Sequence, residues 1–292
     1  RVRGKPRPYV AAEVITDDAI EWLERTREPF FGWVHYMDVH HPCHPPREDR
    51  AAFGVEDIDS ETVSDLYSTM VNDPDSLTEQ QTATLENLYR AAIRYVDRQV
   101  GRLVRTLKEQ GRYDDTILIL TSDHGELFGD HDQYGKPERM YDELLRVPLV
   151  VVNAPDSTGL SGDELVSLLD LPPLWHDLLD EDIPPAYEGI VPGRQTRDYV
   201  IAEHEVRGNP IVGVRSGDWR YEIDEINGET HLVDLRTGQQ VDPATASLDE
   251  EARAVISAAE DRIEQLAGTV KSVADPQLDD DVEARLEDLG YR

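Results

Sequence analysis

The sequence predicts an α/β fold, in which helices cover both faces of a mixed or parallel sheet and a small antiparallel α+β subdomain follows. Two apolar, β-branched runs, residues 117–120 and 149–152, are typical of strands that are buried on both faces. A long stripe of apolar residues at helical spacing precedes the first run. After residue 198, short strand-like runs alternate with Gly and Asn turns, which indicates an antiparallel sheet.

A helix and a strand are predicted near the beginning of the chain. Apolar residues at helical spacing in 14–25 predict an amphipathic helix with Thr16 as its N-cap. Pro29 ends this helix, and the aromatic and apolar residues 30–36 predict a strand. The next loop contains His40, His41, His44 and three prolines. Histidines at a strand end indicate a binding or catalytic site, and the alternative is a surface turn with incidental histidines.

The middle of the chain predicts an insertion and a long helix. Residues 47–74 are acidic and irregular, which indicates a surface insertion near the site. Thr78 and Gln81 form a capping-box pattern, and Gly111 marks the end of the helix that they begin. An apolar stripe predicts that this helix packs on the sheet, and the stripe contains Leu85, Leu88, Tyr89, Ala92, Ile93, Val96, Val100, Leu103, Val104 and Leu107.

The loop after residues 117–120 contains the side chains with the clearest chemistry. Asp123 offers a hard oxygen and His124 a borderline nitrogen, and this mixture suits a divalent metal ion. Lys136 offers a compact positive charge for an oxyanion. Open α/β sheets bind ligands beyond the carboxyl ends of their strands, which is where this loop is predicted to lie. The alternative is that Asp123 and His124 only cap the turn after the strand.

The later part of the chain predicts a helix, a linker and the small subdomain. Residues 164–179 have the apolar phase of a helix, and the proline-rich residues 183–192 indicate a linker or a wrap around the first domain. Ser247 and Glu250 form a capping-box pattern at the start of a helix over 247–265. Four strands with an Asn-Gly hairpin turn are predicted before it, at 199–202, 211–215, 219–223 and 231–234.

These elements predict three parts. Residues 1–195 are expected to form an α/β catalytic domain, and residues 196–274 the four-stranded antiparallel subdomain with its helix. Residues 275–292 are expected to be an acidic tail. A chain of 292 residues is long enough for one large domain or two modest ones.

The composition excludes several classes of partner. The chain has 61 acidic and 29 basic residues and a formal net charge of −32, which argues against nucleic-acid binding and against anionic membrane surfaces. No stretch approaches the roughly 20 apolar residues of a membrane span, and no signal-peptide pattern opens the chain, so we expect a cytoplasmic location. Because the surface is acidic and poor in lysine, we expect a halophilic protein. The alternative is an ordinary acidic cytosolic protein.

The order of residues after the 117–120 run resembles a known motif. SDHGE, GDH, GK, a tyrosine and RVPLVV follow one another between residues 122 and 151, and this order resembles the metal-and-anion loop of sulfatases in the alkaline phosphatase superfamily. PFFGWVHYMDVHHPCHPP, residues 29–46, resembles the sulfatase segment with a sulfate-binding histidine. VRSGDWRY and HLVDLRTGQ resemble strands of the small carboxyl-terminal sulfatase subdomain. The resemblance implies an alkaline phosphatase-like fold.

The resemblance also implies roles for individual residues. Asp123 and His124 would ligate a divalent cation, for which Ca²⁺ is expected and Mn²⁺ and Mg²⁺ are the alternatives. Lys136 and His40 would contact the sulfate of the substrate, which is expected to be a sulfated small molecule or a sugar sulfate. His131 would protonate the leaving group, and the alternative is that it only forms hydrogen bonds within its loop.

Sulfatases use a formylglycine nucleophile that is made from a cysteine in a C-x-P-x-R motif. Cys43, Pro45 and Arg47 match this spacing, but the residues after them differ from the family's motif, so we do not expect Cys43 to be the nucleophile. Nothing before residue 38 resembles the family's amino-terminal Asp pair or its nucleophile. We therefore expect this chain to cover the carboxyl-terminal three-fifths of a sulfatase. We expect it to be inactive alone. The formylglycine would then lie in the missing amino-terminal part, on an upstream segment or chain.

The predicted function is metal-dependent hydrolysis of a sulfate ester, with this chain carrying the carboxyl-terminal half of the active site. A phosphodiesterase or phosphonate monoester hydrolase of the same superfamily is the first alternative, because a metal and an oxyanion clamp serve phosphoryl transfer equally well. A non-catalytic sulfatase-like fragment is the second alternative.

Overall fold

The computed structural model describes residues 9–269 except 28, 156–157, 163, 207–208 and 245. Within this range the chain divides into two compact units: the first comprises residues 9–117 and 126–135, and the second residues 118–125 and 136–269. The predicted acidic tail lies outside the described residues, and the predicted boundary at residue 195 stays a prediction. None of the described helices is both long and apolar enough to cross a lipid bilayer.

In the described part of the chain, four helices come first, a mixed region of strands and short helices follows, and five consecutive strands precede the last helix. Its helices are α1 (Ala12–Arg25), α2 (Arg47–Ala51), α3 (Ser60–Asn72), α4 (Glu79–Glu109), α5 (Asp142–Leu145), α6 (Leu171–Leu178) and α7 (Glu250–Thr269). Its strands are β1 (Leu118–Thr121), β2 (Leu127–Phe128), β3 (Tyr134–Gly135), β4 (Leu149–Val152), β5 (Val200–Val206), β6 (Asn209–Arg215), β7 (Trp219–Asp224), β8 (Glu229–Asp234) and β9 (Gln239–Val241). The helices α1 to α4 and the hairpin of β2 and β3 belong to the first unit.

The predicted first helix is confirmed as α1, but its predicted cap is wrong. The helix begins two residues earlier than expected, and Thr16 lies buried inside it, where its hydroxyl is 2.9 Å from the hydroxyl of Tyr36. The predicted strand at 30–36 is also wrong. Phe31 and Trp33 are 65% and 66% exposed, and no strand within the described residues pairs with this segment. Strand-forming composition alone does not make a strand, because the backbone groups need a partner.

Residues 47–74 are not irregular, so the predicted surface insertion is wrong. They form α2 and α3, and the side chain of Asp59 caps α3 by accepting a hydrogen bond from the Thr62 N–H. The buried face of α3 repeats at helical spacing and packs with α4 residues in one apolar core. The members from these two helices are Val63, Leu66, Tyr67, Met70, Leu85, Leu88 and Ala92.

The long predicted helix is confirmed as α4, including its capping box. The Thr78 side chain accepts from the Gln81 N–H, the Gln81 side chain accepts from the Thr78 N–H, and Gly111 has a left-handed φ of 68° after the last turn. The buried face differs from the predicted stripe, because Ile93 is exposed while Tyr95 and Gln99 are buried. This face packs against α1, α2 and α3.

The second unit begins with an antiparallel pair of strands. In the pair of β1 and β4, Leu118 lies opposite Val152 and Thr121 lies opposite Leu149. The prediction that both strands are buried on both faces is wrong, since every described residue of the pair keeps some exposure and Val150 is nearly half exposed.

The helix predicted at 164–179 begins later than expected. A 3₁₀ turn at Leu168–Asp170 leads into α6, and Pro172 and Pro173 occupy the first turn of the helix. Proline lacks the N–H of a helix interior but is tolerated at its start, which explains why the helix begins here. Buried Asp170 then fixes the chain that follows, since it accepts from the Ile190 N–H and pairs with Arg197.

The antiparallel subdomain is confirmed, with one strand more than predicted. Strands β5 to β9 pair in sequence order, and Gly228 takes a φ of 68° in the predicted hairpin turn. The helix α7 packs on this sheet over a core that includes Val212, Trp219 and Val255. The predicted capping box at Ser247 is wrong, because α7 begins at Glu250 and the side chain of Asp249 accepts from the Ala252 N–H.

Candidate active site

The loop directly after β1 is fixed on the short helix α5. The Gly125 N–H donates to the Leu144 carbonyl over 2.8 Å, and a Cβ at Gly125 would lie only 1.9 Å from the carbonyl oxygen of Glu143. Within the loop, the hydroxyl of Ser122 donates to the His124 carbonyl over 2.9 Å. The sequence Ser-Asp-His-Gly therefore folds into a loop whose last residue must be glycine.

This loop places the two predicted metal-binding side chains, Asp123 and His124, side by side. The carbonyl of Gly125 lies 2.8 Å from Nδ1 of His124, and because a carbonyl only accepts, Nδ1 carries a proton. In the neutral ring, Nε2 then holds the lone pair, and it lies 3.5 Å from Oδ2 of Asp123. The Asp123 side chain is 66% exposed. A carbonyl thus orients the imidazole, as in many metal sites, and that both atoms are metal ligands stays a prediction.

Asp123 and His124 fit part of a ligand set. Within the described ranges, no group of three or more His, Cys, Asp or Glu side chains is placed to hold a metal ion. A calcium ion takes 6–8 oxygen ligands. The two donors therefore match part of the ligand set of a divalent cation.

Lys136 follows β3 and begins the segment that leads to α5. Gly135 before it has a left-handed φ of 68°. The segment is fixed three and four residues later, where Glu222 of β7 accepts hydrogen bonds from Arg139 and from the Met140 N–H. Lys136, Asp123 and His124 all belong to the second unit.

The histidine segment, residues 37–46, belongs to the first unit. His40 is almost fully buried, and its Nδ1–H donates to the His41 carbonyl over 2.7 Å. Nδ1 of His41 lies 2.7 Å from Oε1 of Glu126, whose side chain is only 4% exposed. The ring of His41 also stacks on Tyr67, with ring centroids 5.9 Å apart. His40 is therefore supported by a neighbour that is fixed on two sides.

Sequence reasoning missed His41, Glu126 and Tyr67 as supporting residues. Burial, with smaller contributions from nearby Cys43 and Glu126, raises the pKa of Tyr67 well above its ordinary value of 10. Tyr67 therefore stays neutral at physiological pH. The signal for Glu126 was present, since it is the last residue of SDHGE, but its partner His41 lies 85 residues away.

Cys43 is placed as a core residue. Its side chain is fully buried among residues of α3 and α4, and its thiol donates to the Val39 carbonyl over 3.4 Å. Arg47, the last residue of the C-x-P-x-R spacing, is exposed and pairs with Asp57 over 2.9 Å. A reactive cysteine requires access, which a fully buried thiol lacks, and that Cys43 is not the nucleophile stays a prediction.

His131 lies in an exposed turn of the first unit. It adopts a left-handed φ of 54°, between Gly129 at 98° and Asp132 at 57°. The Asp130 side chain accepts from the Phe128 N–H over 3.2 Å and so closes the turn. That His131 and His40 face the same cavity as Asp123, His124 and Lys136 stays a prediction.

Comparison with known proteins decides the family. The family model described as Sulfatase matches residues 3–181. The chain belongs to the sulfatase family. It is 30% identical over 233 residues to an uncharacterized sulfatase, YidJ, of Escherichia coli, and 26% identical over 218 residues to a choline-sulfatase of Rhizobium meliloti. These matches cover 75% and 71% of this chain but only 44% and 42% of the two relatives. The chain thus spans less than half the length of either sulfatase.

Solved structures confirm the fold of this sulfatase chain. A protein solved with its substrate D-glucosamine-2-N,6-O-disulfate superimposes with a TM-score of 0.67 at 16% identity, over 88% of this chain and 70% of the other. A phosphonate monoester hydrolase of Agrobacterium radiobacter gives a TM-score of 0.62 at 21% identity, over 89% and 60%. The predicted alkaline phosphatase-like α/β fold with a small antiparallel subdomain is confirmed.

Proposed function

We propose that this chain contributes to the hydrolysis of a sulfate ester, which yields an alcohol and sulfate, and that a divalent cation is required. The observation that carries the proposal is the loop after β1. There, the Gly125 carbonyl fixes the tautomer of His124 so that Nε2 faces the side of the Asp123 carboxylate. Membership of the sulfatase family supports the reaction class.

Asp123 and His124 are proposed to hold the cation. When bound, a divalent cation would act as a Lewis acid that polarises a sulfate oxygen. We propose Ca²⁺, because the Asp123 carboxylate is a hard oxygen ligand, and Mn²⁺ or Mg²⁺ are the alternatives.

Lys136 and His40 are proposed to bind the sulfate. The ammonium group of Lys136 offsets negative charge on the oxyanion, and such offsetting is usually the largest catalytic contribution. The contact between Nδ1 of His40 and the His41 carbonyl orients the imidazole ring that is proposed to bind the sulfate. His131 is proposed to donate a proton to the leaving oxygen, and hydrogen bonding within its loop is the alternative role.

The proposed substrate is a sulfated sugar or another sulfated small molecule. One structural neighbour was solved with a disulfated glucosamine as its substrate, which supports the sugar. A net charge of −32 repels anions at long range, so the site needs its own positive groups to bind one. Lys136 and the cation would supply these positive groups. The proposed location of the protein is the cytoplasm.

Binding to the 292-residue chain tests this proposal. Calcium and sulfate are titrated separately by calorimetry at constant ionic strength. Asp123→Asn and His124→Ala should weaken calcium binding by at least roughly tenfold, and Lys136→Ala should do the same for sulfate. Asp114→Asn, at an exposed position of the first unit, is the control for lost charge. Unchanged affinities in the first three variants would overturn the proposal.

A phosphonate or phosphodiester hydrolase is the second candidate. The fold match with a phosphonate monoester hydrolase favours it, since both ester classes present tetrahedral oxyanions to the same kind of clamp. Competition between sulfate and methylphosphonate at Lys136 is measured first, and turnover of an aryl sulfate against an aryl phosphodiester by the complete protein then separates the two. A non-catalytic chain would bind both ions and turn over neither ester.

A further inference from the structure

We propose that the carboxyl-terminal sheet positions both halves of the anion and cation site. Glu222 of β7 is inferred to position the segment that carries Lys136. Arg215 of β6 is inferred to position, through α5, the loop that carries Asp123 and His124. This inference rests on the proposed function and adds positioning residues that lie far from the motif in sequence.

The contact to the Lys136 segment runs through a buried carboxylate. The side chain of Glu222 is only 1% exposed. Its Oε1 accepts from Nε of Arg139 over 2.5 Å, and its Oε2 accepts from the Met140 N–H over 2.8 Å. The two carboxylate oxygens thus accept hydrogen bonds from two adjacent residues, which lie three and four positions after Lys136. A buried carboxylate with this pairing allows the segment few alternative positions.

A steric contact strengthens the same attachment. Met140 is buried, and a Cβ at Gly213 of β6 would lie 2.7 Å from its Cβ and Cγ atoms. The sheet accepts Met140 because residue 213 has no side chain. Alanine at this position would push the segment away from the sheet while leaving all charges unchanged.

The contact to the metal-binding loop runs through α5. Nε of Arg215 lies 3.2 Å from both carboxylate oxygens of Asp142, the first residue of α5. Arg220 of β7 approaches the same carboxylate at 3.6 Å. Two residues later, the Leu144 carbonyl accepts the N–H of Gly125, which adjoins His124. A continuous series of contacts therefore joins the sheet to the proposed metal ligands.

The charges of Glu222 and Arg215 allow the experiment to distinguish a positioning effect on binding from a long-range electrostatic effect. Glu222→Gln removes a negative charge, so electrostatics alone predicts tighter sulfate binding, whereas loss of positioning predicts weaker binding. Arg215→Gln removes a positive charge, so electrostatics alone predicts tighter calcium binding, whereas loss of positioning again predicts weaker binding. The sign of the change decides between the two causes.

The sheet also offers matched controls. Glu203 of β5 pairs with Arg262 of α7 over 2.6 Å, and this pair touches neither segment. Glu203→Gln and Arg262→Gln therefore reproduce the two charge changes in the same unit, away from Lys136 and Gly125.

The experiment titrates the full 292-residue chain with sulfate and with Ca²⁺ by calorimetry at constant ionic strength. We expect Glu222→Gln to weaken sulfate binding roughly tenfold. We expect Arg215→Gln to weaken calcium binding about threefold, because Arg220 still reaches Asp142. Affinities equal to those of the control variants, or tighter, would overturn the inference.

Three further variants keep this test decisive. If Glu222→Gln does not fold, as judged by near-ultraviolet circular dichroism, Gly213→Ala replaces it, because it displaces Met140 and should also weaken sulfate binding. Lys136→Ala and Asp123→Asn test the proposed function itself. If these two variants lose binding while Glu222→Gln, Gly213→Ala and Arg215→Gln match the controls, the inference fails and the proposed function stands.

Discussion

Two candidate segments, one in each unit, are fixed by different kinds of contact. Side chains fix the histidine segment, where His41 donates to Glu126 and stacks on Tyr67. Backbone contacts fix the loop after β1, where Gly125 donates to Leu144 and has no space for a Cβ. A side-chain contact tolerates a substitute of similar shape, but a backbone contact at this distance does not. The two segments should therefore respond differently to conservative changes.

The largest expected effect acts on both segments alike and comes from salt. With a net charge of −32, like charges lie within a Debye length of one another unless salt is near molar. We expect the melting temperature to rise by about 10 °C or more between dilute buffer and concentrated KCl, which corresponds to roughly 3–4 kcal/mol. Equal melting temperatures would remove the halophilic interpretation and leave local contacts as the main determinant of stability.

The next effect is expected at Gly125. In Gly125→Ala, the new Cβ would overlap the Glu143 carbonyl oxygen, so the loop or α5 must move. We expect a loss of about 3 kcal/mol or more in the free energy of unfolding, measured with urea, together with weaker calcium binding. Gly162→Ala in the same unit is the control, since a Cβ there meets nothing within 4 Å. Similar stability of the two variants would contradict backbone fixation of the loop.

A smaller effect is expected at Glu126 and should depend on the substitute. Glu126→Leu leaves the His41 Nδ1–H without its acceptor, at a cost of about 1–3 kcal/mol. Glu126→Gln keeps an acceptor oxygen of the same reach, so its cost should stay near 1 kcal/mol or below. Urea unfolding of both variants measures the difference. Equal losses would contradict the role of the hydrogen bond from His41 in fixing the histidine segment.

The smallest effect concerns Tyr67 and appears only in alkali. Because burial raises the pKa of Tyr67, the unfolded chain loses this proton near pH 10 while the folded chain retains it. Stability from this group is complete below pH 10 and falls above it, by at most about 1.4 kcal/mol for each pH unit. In Tyr67→Phe, stability between pH 9 and 11 should fall less steeply than in the unchanged chain. Parallel curves would show that Tyr67 ionises freely in the folded protein.

The elements that were predicted correctly depend on neighbours in sequence. The capping box of Thr78 and Gln81 spans one turn, and the strands β5 to β8 pair across short turns, so local patterns contain the information. The segment 30–36 has the composition of a strand, but a strand requires a partner that composition does not specify. The helix α3 was missed because acidic residues on its exposed face hid the buried stripe that includes Val63, Leu66 and Met70.

The distinction between contacts of sequence neighbours and contacts of distant residues also applies to the candidate site residues. Asp123 and His124 are adjacent, so one motif identifies both as candidate ligands. Glu126 and His41 are 85 residues apart, and Arg139 and Glu222 are 83 apart. Neither pairing leaves a pattern in the sequence, because any acidic residue at the right place in the fold would serve. The supporting contacts therefore became visible only in three dimensions.

The pairing of β5 to β9 in sequence order has a consequence for the timing of folding. Each strand pairs only with its neighbours in the chain, so this sheet closes short loops and should form rapidly once it has been synthesised. Arg139, however, leaves the ribosome 83 residues ahead of its partner Glu222. Ribosomes add about 5–20 residues per second. Glu222, which holds the Lys136 segment in the folded chain, is therefore synthesised several seconds after that segment. During that interval a nascent chain has a complete motif and an unfinished site.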